Sequence, residues 1–192
     1  MKFSIITPSL MRESLVRCCE SVDAQTFAEE WEHIIAVDSD TLGEVLLKRI
    51  EHSQRIVFTC GKKFGNYGNH ARWMAWGYAT GDFLIGLDDD NFLAHPNALQ
   101  DIHDALESPR PYPAWALFPI MRHGSKFLLE PPGMCMTDTA NMVIRREYGR
   151  WPDIEAREAD GVLAERLKAE YPYVSFPQLN PIIVMEKSSD GI

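Results

Sequence analysis

Short apolar segments alternate with amphipathic segments along the first half of the chain, and this order restricts the fold more than any other feature. The predicted strands and helices of this half cover, in chain order, residues 3–7, 11–24, 33–37, 43–52, 55–59, 70–79, 83–87 and 97–106. Strands that alternate with helices form a mostly parallel sheet with helices on its faces. The pattern therefore predicts an α/β fold with a mixed, mostly parallel central sheet.

The second half of the chain is less regular. Its predicted elements are strands at residues 115–121, 126–129, 139–144, 174–176 and 182–185, and a helix at residues 159–170. A chain of 192 residues suits one hydrophobic core, and no change in composition marks a domain boundary. We therefore expect a single domain over residues 1–192, with a first half at about 1–95 and a second at about 96–192.

The charge balance limits the class of partner. The formal net charge is −9, and a nucleic-acid-binding surface needs a basic face, so no nucleic-acid partner is expected. A phosphate-bearing ligand remains compatible with this charge if a divalent cation lies between it and the acidic side chains.

The cysteines and the hydropathy pattern bear on the compartment. Cys18, Cys19, Cys60 and Cys135 have neither metal-site spacing nor the density of a secreted disulfide framework, which favours reduced thiols and a cytoplasmic location. No run of about 18 apolar residues occurs, so no transmembrane segment is predicted, whereas peripheral membrane association stays open.

Three aspartates leave the predicted strand at residues 83–87. In an extended chain Asp88 and Asp90 point to one side and Asp89 to the other. Neighbouring carboxylates repel one another unless a cation neutralises them. Because ligands bind at the carboxyl ends of strands in open α/β sheets, this edge is a candidate site for Mg²⁺ or Mn²⁺. The alternative is a solvated acidic turn that caps the next helix.

Four sequence blocks, taken in order, resemble the family-2 glycosyltransferases of the A-type fold over roughly residues 3–170. The blocks are Ser4-Ile5-Ile6-Thr7-Pro8-Ser9, Ile35-Ala36-Val37-Asp38-Ser39-Asp40, the stretch from Gly65-Asn66-Tyr67-Gly68-Asn69-His70-Ala71-Arg72 to Asp88-Asp89-Asp90, and Asp160-Gly161-Val162-Leu163-Ala164-Glu165-Arg166-Leu167. The resemblance implies an inverting, metal-dependent transfer of a sugar from a nucleotide-sugar, most simply a UDP-sugar, to an acceptor hydroxyl. It makes the first half nucleotide-binding and the second half acceptor-binding.

The resemblance also implies roles for the donor-binding residues. Thr7, Pro8 and Asp38 border the nucleobase, and the loop with Asn66 precedes the helix that carries Arg72. Arg72 lies near the base or the diphosphate. Asp38 also suits a helix cap and Arg72 a helix surface, so a purely structural role remains open for both.

The metal and catalytic residues follow from the last two blocks. Asp90 is the first choice for the Mn²⁺ or Mg²⁺ ligand. Asp88 and Asp89 are candidates for the ribose hydroxyls and remain open between ribose and metal, with Asp88 the second choice for the metal. Asp160 is the expected base, with Glu158 in reserve. A helix N-terminus favours an acidic residue whatever its function, which is the structural alternative for Asp160.

Two departures from the family pattern keep other functions open. Ala159 stands where family members often carry glutamate, and no histidine follows His123 to complete a metal site. A nucleotide-sugar-binding protein without transfer activity is one alternative. The other is a Mg²⁺-dependent phosphatase with Asp88 as nucleophile and Asp90 as acid and base, although Phe92 stands where that chemistry usually has threonine.

Overall fold

The computed structural model describes residues 1–108, 111–122, 124–134, 137–179 and 183–185. Within these ranges the strands are β1 Phe3–Ser9, β2 Trp31–Val37, β3 Arg55–Thr59, β4 Phe83–Gly86, β5 Asn91–Leu93, β6 Trp115–Leu117, β7 Ile120–Arg122, β8 Ser125–Phe127, β9 Met142–Arg145, β10 Tyr173–Ser175 and β11 Ile183–Met185. The helices are α1 Ser14–Asp23, α2 Glu44–Arg49, α3 Asn69–Tyr78, α4 Ala98–Glu107 and α5 Ala159–Glu170.

Seven strands form the central sheet, in the order β10-β6-β9-β4-β1-β2-β3. The β1–β2, β2–β3, β1–β4 and β10–β6 pairs are parallel, whereas β9 runs antiparallel to both β4 and β6. The sheet is therefore mixed and mostly parallel, with helices on its faces. This confirms the predicted α/β fold class.

Helices cover both faces because successive strand residues point to opposite sides. Ile5 packs with Leu99 and Ile102 of α4, while its neighbour Ile6 packs with Ala75 of α3 and Leu163 of α5. All six side chains are buried. Among the described residues no helix is long and apolar enough to cross a membrane.

A second sheet holds four strands in the order β5-β11-β7-β8. The single strand predicted at residues 115–121 is wrong: β6 belongs to the central sheet and β7 to the second one. Pro119 separates them, and proline has no N–H with which to continue a ladder. The short strand β5 also went unpredicted, because it follows directly on the aspartates.

Two element boundaries differ from the prediction for local reasons. β1 continues through Pro8, since β4 pairs only as far as Ile6 and the absent proline N–H breaks no hydrogen bond on that side. The strand predicted at residues 139–144 begins instead with the 3-10 turn Thr139–Asn141, and β9 starts at Met142.

Strand direction brings the two halves of the chain together at one edge. The carboxyl ends of β1, β2 and β4 meet there because these strands are parallel. β9 is antiparallel to β4, so its beginning, not its end, lies at the same edge. Gly86 makes the approach close enough: a Cβ atom at this position would lie 2.3 Å from Thr139 Cγ2.

Candidate functional site

A cavity of about 610 Å³ opens at the carboxyl ends of the central strands. Its described lining residues are Pro8, Ser9, Leu10, Arg12, Asp38, Lys63, Gly65, Tyr67, Gly68, Arg72, Asp88, Asp89, Asp90 and Arg157. The cavity thus brings together Pro8, Asp38, Arg72 and the three aspartates, all of which the sequence nominated. Thr7, Asn66 and Asp160 are not among the described residues that line it.

The three aspartates differ in exposure. The side chains of Asp88 and Asp90 are 31% and 30% exposed, whereas that of Asp89 is 2% exposed. Asp89 Oδ2 accepts hydrogen bonds from Ser9 Oγ at 2.8 Å and from the Leu10 backbone N–H at 3.1 Å. Asp89 Oδ1 pairs with Arg12. Asp89 therefore ties the end of β4 to the loop after β1.

Asp88 and Asp90 have unequal cationic partners. Asp88 Oδ1 accepts a hydrogen bond from Arg72 Nη2 at 2.5 Å, but the contact of Asp90 Oδ2 with Arg12 Nη2 is 3.9 Å. Burial raises the pKa of Asp90, and the charges of Asp88 and Asp89 raise it further. Asp90 is thus the carboxylate in the run that gains most from an additional cation.

Asp38 holds the glycine-rich loop between β3 and α3. It is buried, and its two oxygens accept hydrogen bonds from the backbone N–H groups of Phe64 at 2.7 Å and Gly65 at 2.9 Å. Gly65 and Tyr67 both have positive φ angles, near 67° and 57°. A positive φ strains a residue with a side chain, and such strain is concentrated at functional sites.

Two predicted donor-binding residues support the cavity from outside it. Thr7 is fully buried, and its hydroxyl lies 2.9 Å from Nε2 of His33. Arg55 Nε donates to Nδ1 of the same ring, so the tautomer with hydrogen on Nε2 donates to Thr7. Asn66 Oδ1 accepts the hydrogen bond of the His70 backbone N–H at the start of α3.

Arg72 is a buried arginine on α3. Nη1 donates to the Tyr67 carbonyl oxygen at 2.8 Å and Nη2 to Asp88, while the guanidinium carbon lies 5.2 Å from the Trp151 ring centroid. These contacts hold the guanidinium between the glycine-rich loop, the aspartate run and the segment before α5. Arg72 is therefore not a surface residue of its helix.

Asp160 lies in the first turn of α5, and its Oδ1 accepts the Gly161 backbone N–H at 2.8 Å. Burial raises the pKa of Asp160 to about 6, and the charges of Asp138 and Asp88 contribute in the same direction. A carboxylate with a pKa near the working pH is a competent general base. Glu158, the reserve, is the N-cap residue of the same helix.

Asp138 was missed at the sequence level. It caps the 3-10 turn before β9: its Oδ1 accepts the Ala140 N–H at 3.0 Å, and its Oδ2 accepts a hydrogen bond from Arg122 at 3.0 Å. Burial raises its pKa, to which the charge of Asp88 adds. The available signal was the spacing Asp138-x-x-Asn141, a reciprocal capping pattern.

Arg12, Lys63 and Arg157 also line the cavity and were not nominated. Each lies in a loop or an irregular segment, so periodicity gave no signal for them. Together with Arg72 they place four cationic side chains beside the four aspartates of the cavity. Such a surface suits a ligand that carries both phosphates and hydroxyl groups.

The aspartates fit a metal that shares its ligands with a substrate. Among the described residues no three His, Cys, Asp or Glu side chains converge on one point. Mg²⁺ and Mn²⁺ are commonly held by one or two carboxylates and complete their coordination with phosphate oxygens and water. Asp90, with Asp88 beside it, supplies that kind of partial site.

Comparison with solved structures shows the same fold in glycosyltransferases. S. aureus TarS 1–349 in complex with UDP-GlcNAc superposes with a TM-score of 0.80 at 15% identity, over 100% of this chain and 60% of TarS 1–349. The mannosyltransferase PcManGT from Pyrobaculum calidifontis, in complex with GDP-Man and Mn²⁺, gives a TM-score of 0.69 at 15% identity, over 98% and 58% of the two chains. The chain thus spans about 60% of the length of these proteins.

Comparison at the level of sequence identifies the family. No curated protein matches the chain. The model of glycosyl transferase family 2 matches residues 4–164, which include the cavity and Asp160. The chain therefore belongs to glycosyl transferase family 2.

Proposed function

We propose that the protein is an inverting glycosyltransferase that moves a sugar from a nucleotide-sugar to an acceptor hydroxyl. The observation that carries this proposal is the shared cavity of Asp38, Arg72 and the aspartate run at the carboxyl ends of β1, β2 and β4. Membership of glycosyl transferase family 2 supports it. We also retain the division into a nucleotide-binding half at about 1–95 and an acceptor half at about 96–192.

The nucleotide would bind the part of the cavity that residues of the first half of the chain line. Pro8 and Asp38 border the base, with Thr7 behind them, and Asn66 keeps the glycine-rich loop at the start of α3. Asp88 faces the ribose while it remains paired with Arg72. We assign Asp89 to holding the loop after β1 and Arg12, since both of its oxygens already accept hydrogen bonds there.

Mn²⁺ or Mg²⁺ would be held by Asp90, with Asp88 next to it and the donor's phosphate oxygens completing the coordination. When bound, such an ion offsets the negative charge that develops on the departing diphosphate. The raised pKa of Asp90 supports this assignment, because a cation relieves the repulsion that raises it. PcManGT was solved with Mn²⁺.

Asp160 would act as the base. Its carboxylate takes the proton from the acceptor hydroxyl as that oxygen bonds to the anomeric carbon, and the carbon–oxygen bond to the diphosphate breaks with its electron pair. The nucleoside diphosphate leaves, and direct displacement inverts the anomeric configuration. The raised pKa of Asp160 supports this role, since it makes the carboxylate a stronger proton acceptor than an ordinary aspartate.

We propose a UDP-sugar as the donor, because TarS, the structure with the highest similarity quoted above, was solved with UDP-GlcNAc. GDP-Man in PcManGT makes a guanine nucleotide the alternative to test. A cytoplasmic location is also retained as a proposal. Cys18 and Cys19 are free and buried, which suits a reducing compartment.

Thermal unfolding with a panel of nucleotides and nucleotide-sugars tests the proposal. A ligand that binds only the folded protein raises its stability, so UDP or a UDP-sugar should raise the melting temperature, and more so with Mn²⁺. The Asp90→Asn variant should lose the Mn²⁺-dependent part. No shift with any nucleotide would sink the proposal.

Product analysis then separates the enzyme from its alternatives. Release of UDP from a labelled UDP-sugar, with the sugar on an acceptor or on water, identifies a transferase. Binding without release would identify a nucleotide-sugar-binding protein. Release of inorganic phosphate from a phosphomonoester with Mg²⁺ would instead identify the aspartate-based phosphatase.

A further inference from the structure

Arg157 differs from the other residues of the cavity in its origin. Every other described lining residue lies between Pro8 and Asp90, whereas Arg157 comes from the second half, just before α5. Arg157 is therefore the described cationic group that approaches the donor site from the half we assign to the acceptor.

Among the described residues, the aspartate run of the cavity pairs with arginines other than Arg157. Arg12 pairs with Asp89, and Arg72 pairs with Asp88. Within the described residues Arg157 and Lys63 form neither an ion pair nor a hydrogen bond, and both are exposed. Asp38 holds the backbone next to Lys63, and Asn69 holds the backbone next to Arg157. Arg157 differs from Lys63 because it comes from the second half of the chain.

Asn69 provides most of that hold. Its side chain is buried at the start of α3, and Nδ2 donates to the carbonyl oxygens of Ile154 at 3.0 Å and Ala156 at 2.7 Å. Oδ1 accepts a hydrogen bond from Trp151 Nε1 at 3.4 Å. One amide therefore fixes three points of the segment 151–157, the last of them adjacent to Arg157.

We propose that Arg157 binds the diphosphate of the nucleotide-sugar from the acceptor half, and that Asn69 is the residue that positions Arg157 for this contact. The inference rests on the proposed function and adds a specific phosphate contact to it. A guanidinium suits this task because its planar donors bind two phosphate oxygens at once. Asn69 thereby links α3 to the cationic group that the second half of the chain would bring to the diphosphate.

Binding of UDP and of uridine, each with Mn²⁺, tests the contact. Arg157→Gln should weaken UDP binding about 10-fold, the loss of one charge-assisted contact, and leave uridine binding unchanged. Arg150→Gln is the matched control, because Arg150 is exposed in the same region and lies over the Trp73 ring instead of the cavity. It should bind UDP within about twofold of the wild type. GDP and guanosine replace the pair if the thermal panel selects guanine.

A double-mutant cycle tests the positioning role. Asn69→Ser should weaken UDP binding and spare uridine, and the double variant with Arg157→Gln should be no weaker than Arg157→Gln alone, since both changes remove one contact. If the fold-loss in UDP affinity of the double variant equalled the product of the two single losses, Asn69 would not act through Arg157. If Asn69→Ser fails to fold, Asn69→Asp replaces it in the cycle, because it keeps the acceptor for Trp151 Nε1 and removes the donors to Ile154 and Ala156.

The outcomes distinguish this inference from the proposed function. Wild-type protein that binds no nucleotide would overturn both. Wild-type protein that binds UDP, with Arg157→Gln binding it equally well, would overturn the Arg157 contact and leave the glycosyltransferase proposal standing.

Discussion

Arg72 Nη2 lies 2.5 Å from Asp88 Oδ1, so the helix α3 is joined by an ion pair to the end of β4. The same guanidinium donates to Tyr67 and lies over Trp151. One arginine thus connects the glycine-rich loop, the aspartate run and the segment before α5. Asp88 therefore has a close cationic partner in the absence of a metal, whereas the contact of Asp90 with Arg12 is 3.9 Å long.

This inequality predicts different effects of two conservative substitutions. Asp90→Asn should raise the dissociation constant of UDP in Mn²⁺ by about 10-fold or more, because the least-paired carboxylate of the proposed metal site is lost. Asp88→Asn should have a smaller effect on the dependence on Mn²⁺. Calorimetric titration of UDP at several Mn²⁺ concentrations measures both.

The control is the same aspartate-to-asparagine substitution at a residue away from the cavity. Asp101→Asn on α4 should leave UDP binding and its metal dependence unchanged. If Asp88→Asn abolished the Mn²⁺ effect while Asp90→Asn preserved it, the two roles would be reversed.

Asp160→Asn should separate donor binding from transfer. Removing a general base typically slows turnover by about 10² to 10⁴, whereas UDP binding should stay near the wild-type value because Asp160 does not line the described cavity. In the wild type kcat should fall as the pH drops below about 6, where the carboxyl group takes up its proton. A variant with full kcat would move the base to another group, Glu158 first.

The raised pKa of Asp160 also predicts that the Asp160→Asn variant is more stable than the wild type above about pH 6. Folding raises this pKa from its usual 3.8 to about 6, so between these values the folded protein binds more protons than the unfolded chain. The destabilising contribution of the Asp160 carboxylate therefore grows as the pH rises from about 4 to about 6, and it remains constant at higher pH. Asp160→Asn should melt at a higher temperature than the wild type at pH 7.5, and the difference should be much smaller at pH 4, close to the unfolded pKa of 3.8. An equal difference at both pH values would contradict this account.

Gly86→Ala should destabilise the protein by about 1–3 kcal/mol, since the new methyl group would overlap Thr139. Its Cβ would lie 2.3 Å from Thr139 Cγ2. Thr139→Ser removes that methyl group and should restore part of the loss in the double variant, as measured by urea denaturation. Additive losses in the double variant would show that the clash is relieved elsewhere.

Most of the first half of the fold was predictable because β1, β2 and β3 are short apolar runs that are each followed by a helix. The same property located the edge of the sheet, and with it Asp38 and the aspartate run. Where a residue's partner is distant in sequence, prediction was weaker. Nothing in the neighbourhood of Asp89 indicates that Arg12 and Ser9 bind its side chain.

The second half was less predictable because its contacts depend on which distant strands pair, and the local hydrophobic pattern of the sequence does not show this. The strand predicted at 115–121 has a continuous apolar pattern, yet it serves two sheets. Asp138 lies near Asp88 only because β9 runs antiparallel to β4. Cys135, His123 and residue 182 of the last predicted strand lie outside the described residues.

The antiparallel placement of β9 makes the chain between Gly86 and Thr139 a closed excursion. It leaves the central sheet after β4, adds β6 to that sheet on the far side of β9, and returns as β9 beside β4. Gly86 packs against Thr139 where the two ends meet. Because the entropy of closing a loop rises only slowly with its length, segments could be inserted or exchanged within this excursion at little thermodynamic cost. Under the proposed function, the loops of this excursion that lie outside the aspartate run are therefore the places where new acceptor recognition could be grafted without changing the nucleotide-binding residues.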